Sequence, residues 1–253
     1  MKRTGYLYEK ICDYDNICLA IKNAYRKKKK KRGFCKKVFR NYEHYAHIVR
    51  EMLVNHSFVP SIPTNQTRIE YGKVREIKVP KFFPDQIVHW AVMQVIEPHL
   101  ARGMYRYCCG SVKHRGGEYA KRKIENVERR DKHIKYVFQA DIKKFFPSVD
   151  TGILKTQLRR VLKDKKVLHL LDQIIDNGAV GLPIGYYPSQ ALSNFYLLQF
   201  DHYIKEKLRI RHYVRFADDI VCHDTNKRKL RKAIGFIKEF LLGCKLYLKR
   251  ATM

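Results

Sequence analysis

Three aspartates stand where metal-dependent phosphoryl chemistry would need them. Asp141 closes the apolar run Tyr136–Ala140, and Asp218–Asp219 sit in the turn of YVRFADDIV between two short apolar runs. If those runs pair as neighbouring strands, Asp141 and Asp218 meet at one end of a sheet despite their distance along the chain. Two carboxylates so close repel, and one tends to keep its proton. A divalent cation removes that repulsion. Mg²⁺ prefers oxygen ligands, keeps several waters and is completed by substrate phosphates. A pair of such ions about 3.5–4 Å apart activates a hydroxyl nucleophile and stabilises a departing phosphate. An Asp pair in a turn is by itself an ordinary cap. Here the acids are set among Phe145, Phe146, Tyr213 and Phe216, in a chain of extreme positive charge.

Lys and Arg number 53 against 24 Asp and Glu, a formal net charge of +29 over 253 residues. Such a charge repels itself unless an anionic partner offsets it. Nucleic acid fits, because each phosphate contact releases counterions. A membrane surface fits less well, since the charge runs along the whole chain and no basic amphipathic helix dominates. The densest run is Arg26, Lys27, Lys28, Lys29, Lys30, Lys31 and Arg32, closed by Gly33. It reads as a solvated loop or as a contact for RNA or DNA phosphates. There is no apolar run of about 18 residues and no signal-peptide hydrophobic region. The seven cysteines are odd in number and lack a C-x-x-C pair. That argues against a disulfide framework or structural zinc and for a reducing, cytoplasmic compartment.

The elements that must hold these residues follow from periodicity. Helices are predicted over about 6–24 and 41–55, then a hairpin turning near Tyr71–Gly72 and closed by Pro80. A helix capped by Asp85 and stopped by Pro98 comes next, then a basic helix within GSVKHRGGEYAKRKIENVERR. After the Tyr136–Ala140 strand, one helix capped by Asp150 or Thr151 carries the stripe Leu154, Leu158, Val161, Leu168, Leu171 and Ile175. GAVGLPIGYYPSQ is a loop, and a helix spans 191–208. Strands over 213–216 and 220–222, a helix over 227–242 and the strand LYL complete the chain. The order implies an α+β fold with one antiparallel sheet carrying the site.

Five ordered segments carry a family resemblance. YVFQADIKKFFPSVD resembles the first catalytic-Asp motif of reverse transcriptases, GLPIGYYPSQALSNFYL their nucleotide-pocket motif, and YVRFADDIV their aromatic-x-Asp-Asp box. REIKVPKFFPDQIVHWAV and YCCGSVKHRGGEYA are similar to the preceding fingers motifs, so the match covers about residues 65 to 250. The resemblance implies a right-hand polymerase with helical fingers and an antiparallel-sheet palm. Its expected divisions are a basic helical region 1–64, fingers 65–135 and palm 136–253, with fingers-derived helices near 151–178. It also implies an RNA-directed DNA polymerase in which Asp141, Asp218 and Asp219, with Ile142 beside them, hold Mg²⁺ (or Mn²⁺). Template RNA, primer or cDNA and dNTPs are the expected partners, and the expected setting is a bacterial or phage-encoded cytoplasmic protein.

In the implied pocket, Phe145 and Phe146 adjoin the sugar, and Phe146 excludes a 2′-hydroxyl by steric overlap. Arg75 grips the triphosphate, a planar fork of donors suiting phosphate oxygens. Lys249 matches a late palm lysine near the pyrophosphate, Gly185 and Gln190 line the pocket, and Arg115 joins the 26–32 run as a nucleic-acid contact. Most of the superfamily carries Gln where this chain has Ile184, and Pro where it has Gln190. The pattern aliphatic-Gly-x-x-x-Ser-Gln is similar to diversity-generating retroelement enzymes, which copy a repeat RNA with errors at adenines and use a small basic accessory protein. Group II intron-like and antiviral-defence reverse transcriptases are the rival readings. A non-catalytic RNA-binding scaffold is the rival from another class. The primer-grip hairpin and helical thumb of the family are not visible before LYLKRATM, so the expectation is nucleic-acid binding with poor primer extension.

Overall fold

The computed structural model describes residues 4–26, 33–70, 72–177 and 180–252. The basic stretch Lys27–Arg32 and the expected turn residue Tyr71 lie outside the described residues. Helices α1 (Tyr8–Ile11), α2 (Tyr14–Arg26), α3 (Phe34–Arg40) and α4 (Tyr42–Val54) precede the hairpin strands β1 (Thr64–Glu70) and β2 (Lys73–Val79). A kinked segment, Phe82–Gln86, in which Phe83 is extended, leads into α5 (Ile87–Leu100), followed by α6 (Gly117–Arg130) and β3 (Tyr136–Ile142). Then come α7 (Phe145–Ser148), α8 (Thr151–Val161), α9 (Lys165–Ile175), α10 (Tyr187–Tyr196) and α11 (Leu198–His202), the last running into a π-helical turn at Tyr203–Lys207. β4 (His212–Phe216), β5 (Asp219–Asp224), α12 (Lys227–Gly243) and β6 (Leu248–Thr252) complete the chain. It divides into two compact units, Met1–Ala101 with Leu154–Ser189, and Arg102–Ile153 with Gln190–Met253.

In the first unit, α2 buries Ile17, Ala20, Ile21 and Ala24, one face at helical spacing, and packs on α4 and α5. Polar stitches fix the register: Asn16 Nδ2 donates to the Ala91 carbonyl at 3.1 Å, and Gln94 Nε2 to Asn16 Oδ1 at 2.8 Å. Two expected helices are each broken by an aspartate. Asp13 Oδ1 accepts the Asn16 amide at 3.0 Å and so restarts the chain as α2. Asp164 separates α8 from α9. Its Oδ1 accepts the amides of Lys166 and Val167 at 3.1 and 3.4 Å. Its Oδ2 accepts those of Leu7 and Tyr8 at 3.1 and 3.0 Å, at the start of α1. One carboxylate thus serves two helix N-termini, whose amides have no partners within their own helices. Asp164→Ala is expected to lower stability by about 2 kcal/mol, and Asp164→Asn by less because an acceptor remains. Urea denaturation measures both, and a loss below about 0.5 kcal/mol for the alanine variant would show that water replaces the carboxylate.

Other boundaries shift for local reasons. Asp85 does not cap α5: it is buried, and its carboxylate accepts from Ser61 Oγ and from the amides of Ser61 and Lys81. Pro98 does not stop α5 but lies within it, near its end. A seven-residue helix, α3, follows Gly33 where no element was expected. The basic helix begins only at Gly117, and the expected 191–208 helix starts four residues early and is interrupted at Leu197.

The second unit is built on a four-stranded antiparallel sheet, ordered β4-β5-β3-β6. Phe138, Ala140 and Ile142 of β3 alternate into the core with Ile220 and Cys222 of β5. The outer edge of β4 is covered by the 105–110 segment: the Cys109 amide donates to the Arg215 carbonyl at 2.8 Å and the Arg215 amide to the Tyr107 carbonyl at 3.0 Å. Cys108 and Cys109 are buried there, and burial pushes both thiols up to about 11. No described helix is long and apolar enough to cross a membrane.

Candidate active site

The register of β3 and β5 brings the acids together. Asp141 is the Cα partner of Asp219 across the strand pair, and the Ile142 amide donates to the Asp218 carbonyl at 3.3 Å. The β4–β5 turn is tight: Ala217 takes the left-handed conformation, φ 53°, and Asp218 follows it. Asp141 and Asp218 are half-buried, and Asp219 is exposed. Burial pushes the Asp218 carboxyl up to about 6, reinforced by the charges of Asp141 and Asp219 and by a hydrogen bond with Asp141. The Asp141 and Asp218 carboxyls thus lie within hydrogen-bonding reach of each other. No group of three His, Cys, Asp or Glu side chains among the described residues is gathered closely enough to hold a metal by itself.

Elements next to the acids place further candidates. Lys144 has φ 45° and turns the chain from β3 into α7, leaving Phe145 buried and Phe146 half-buried, their rings 5.6 Å apart. Strand β6 carries a bulge opposite Asp141 and Ile142: Arg250 pairs with Asp141 and Leu248 with Ile142. The intervening residue is Lys249, which is exposed. Bulges of this kind re-aim a side chain beside a site. Gln190 is exposed, and its carbonyl accepts from Ser193 Oγ at 2.9 Å. Arg115 is engaged within its own loop, donating to the carbonyls of Tyr105 and Cys108 at 2.9 and 3.2 Å.

The first unit holds a second group. Ile184 is half-buried, and its carbonyl accepts the Lys78 amide of β2 at 2.8 Å, joining the pocket loop to the hairpin. Gly185 has φ +109°, and a Cβ there would lie 2.5 Å from the Lys78 carbonyl oxygen and 2.6 Å from Ile77 Cγ2, so the close approach requires glycine. Within the loop Ser189 Oγ donates to the Pro183 carbonyl at 2.7 Å, and Tyr187 stacks on Trp90 at 3.8 Å. Arg75 is exposed on β2, directly opposite Arg68 on β1. Sequence reasoning passed over Arg68, although both arginines lie equally far from the turn at 71–72. Arg26 is exposed at the end of α2 and donates to Asn23 Oδ1 at 3.0 Å.

Sequence reasoning also passed over Arg215. It is fully buried beneath the Asp218 turn and is paired with Asp201 at 2.7 Å. A charged residue inside the apolar run YVRF was the available signal.

Comparison with known proteins bears on the family and the fold. Protein YkfC of Escherichia coli (strain K12) is 26% identical over 174 residues, which cover 63% of this chain and 45% of that protein. Telomerase from Candida albicans, solved in complex with a TWJ fragment of telomeric RNA, superposes with a TM-score of 0.56 at 10% identity, covering 84% of this chain and 47% of that one. Apo telomerase from Candida tropicalis, truncated from its C-terminal domain, gives a TM-score of 0.55 at 14% identity, covering 75% and 49%. This chain thus spans about half the length of these proteins, and the structural matches concern the fold. The family model described as reverse transcriptase (RNA-dependent DNA polymerase) matches residues 26–251, a span that contains all three acids and the five motifs around them, and the chain belongs to that family.

Proposed function

We propose that this chain is the nucleotide-adding part of an RNA-directed DNA polymerase. The observation that carries the reading is the meeting of Asp141 and Asp218 at one end of the β3–β5 pair. Two carboxylates within hydrogen-bonding reach of each other are a donor set for a hard divalent cation, and Mg²⁺ leaves its remaining positions to water and phosphate. Bound there with Ile142 and Asp219 alongside, a pair of Mg²⁺ ions (or Mn²⁺) would lower the pKa of a primer 3′-hydroxyl and neutralise charge on the leaving pyrophosphate. The residues' own work is positional. Asp141 presents its carboxylate from β3 and Asp218 from the β4–β5 turn beside it. Phe146 sets a steric limit that favours dNTPs over NTPs. Arg75, with Arg68 opposite it on the hairpin, supplies a planar fork of donors that suits triphosphate oxygens. Lys249 adds a cation at the bulge beside the acids.

In this reading the β1–β2 hairpin and its neighbouring helices are fingers and the β3–β6 sheet is the palm. Template RNA, primer and dNTPs are the substrates, and the charge of +29 supports a polyanionic partner. The experiment is primer extension on an RNA template with Mg²⁺, comparing the wild type with Asp218→Ala. Equal incorporation by both would remove the reading.

A narrower reading follows from Ile184 and Gln190: an error-prone enzyme of a diversity-generating retroelement, working with a small basic accessory protein. An amide at 184 can hydrogen-bond a correct pair or sugar, whereas an aliphatic chain offers packing alone. One such hydrogen bond is worth about 0.5–1.5 kcal/mol, up to roughly tenfold in discrimination. Ile184→Gln is therefore expected to reduce misincorporation at template adenines several-fold, read by sequencing the cDNA. An unchanged error spectrum would show that position 184 does not set fidelity.

A further inference from the structure

A guanidinium has five N–H donors and no acceptor. Arg215, fully buried on β4, uses all five. Nε donates to Asp201 Oδ1 at 2.7 Å, and Nη2 to Asp201 Oδ2 at 2.7 Å and Cys108 Sγ at 3.1 Å. Nη1 donates to Asn194 Oδ1 at 3.1 Å and to the Ala217 carbonyl at 2.9 Å. A buried ion pair is often no more stabilising than apolar side chains of similar volume. What an apolar side chain lacks is a donor for the Ala217 carbonyl. Ala217 is held in the left-handed region immediately before Asp218. On its other side Gly110 approaches so closely that a Cβ would lie 2.4 Å from the Ala217 nitrogen. The Gly110 carbonyl accepts Asn194 Nδ2 at 2.7 Å, and Asn194 returns to Arg215. The circuit closes around the turn, with every donor of the guanidinium satisfied.

We propose that Asp201, Asn194, Arg215 and Gly110 form a cradle that fixes the Ala217–Asp218 turn so that Asp218 faces Asp141. Arg215 is a positioning residue acting through the Ala217 carbonyl. The proposal rests on the reading of Asp141 and Asp218 as the metal-holding pair of a polymerase.

The decisive variant is Asp201→Leu/Arg215→Met, which removes both charges and keeps the volume. It is expected to melt cooperatively near the wild-type temperature. Its kcat for nucleotide addition falls about 10- to 100-fold, the range seen when outer partners of metal ligands are lost. The Mg²⁺ concentration for half-maximal rate rises about tenfold, while KM for dNTP changes less than twofold. A crystal structure of the variant shows Asp218 displaced from Asp141. Gly110→Ala, which leaves the ion pair intact and pushes on Ala217, gives the same kinetic signature and serves if the double variant does not fold. Arg215→Lys keeps the charge opposite Asp201 but not the five-donor fork, and retains only part of kcat. Wild-type kcat and Mg²⁺ response in the folded variants, with Asp218 in place, overturn the cradle. A wild type that adds no nucleotide removes the polymerase reading instead, and the position of Asp218 in the variant crystal still decides the cradle.

Discussion

Asp218→Ala is expected to lower nucleotide incorporation by on the order of 10³-fold or more if, as proposed, Asp218 is an oxygen ligand to ions that supply several kcal/mol of charge stabilisation. The fold should not suffer. Asp218 has its carboxyl raised to about 6 by burial and by the facing Asp141. A carboxyl raised in the folded state binds its proton more tightly there than in the unfolded chain, so between roughly pH 4 and 6 stability falls as pH rises. Above pH 6 the ionised pair strains the native state when no cation is present. At pH 7 in EDTA the alanine variant should melt at or above the wild-type temperature, and the difference should close as pH falls below about 6. Gain of stability with loss of activity is the signature of a repelling pair retained for cation binding. A variant that loses both equally would mark Asp218 as structural. Asp219→Ala is expected to do less, because Asp219 is exposed and its place is set by backbone pairing with Asp141.

The placement of the three acids was legible because strand ends and turns are written locally. Tyr136–Ala140 and the runs flanking Asp218 are short, apolar and β-branched or aromatic, and each stops at an acid. The structure pairs these strands in the expected sense and extends them by a few residues. The hairpin was legible for the same reason, its register centred on 71–72. Helix ends were less so. Asp85 was a plausible cap by position, but Ser61 and the Lys81 amide claim its oxygens, and tertiary partners outcompete a local cap. The single helix expected beyond Thr151 is two because Asp164 reaches back to Leu7 and Tyr8, a demand that spacing along the chain does not reveal. The ring around Arg215 was hidden by distance in sequence. Its members come from the 105–110 segment, α10, α11 and β4, so no local pattern joins them.

That ring should also give the largest stability effect. Asp201→Ala leaves Arg215 charged and without its counter-ion at a site where both side chains are fully buried. Burial by itself would favour loss of the Arg215 proton, and the Asp201 carboxylate more than offsets it. Removing one partner of a buried pair costs about 3–5 kcal/mol because the remaining charge is stranded. Tyr213, whose hydroxyl donates to Asp201 Oδ1 at 2.7 Å, loses its acceptor as well. A domain with roughly 5–15 kcal/mol in total would lose a large part of its margin. Asp201→Asn keeps an acceptor for Tyr213 but not the charge, and should fall between the alanine variant and the wild type. Asp201→Leu/Arg215→Met should recover most of the loss, because no charge is left in the core. Urea midpoints for the four proteins order these cases. A loss under about 1 kcal/mol for Asp201→Ala would mean that water reaches the guanidinium, and a turn so loosely packed could not hold Asp218 against the repulsion of Asp141. Stability lost on breaking the pair and regained on deleting it, with activity still impaired, would separate what the ion pair does for the fold from what Arg215 does for the turn.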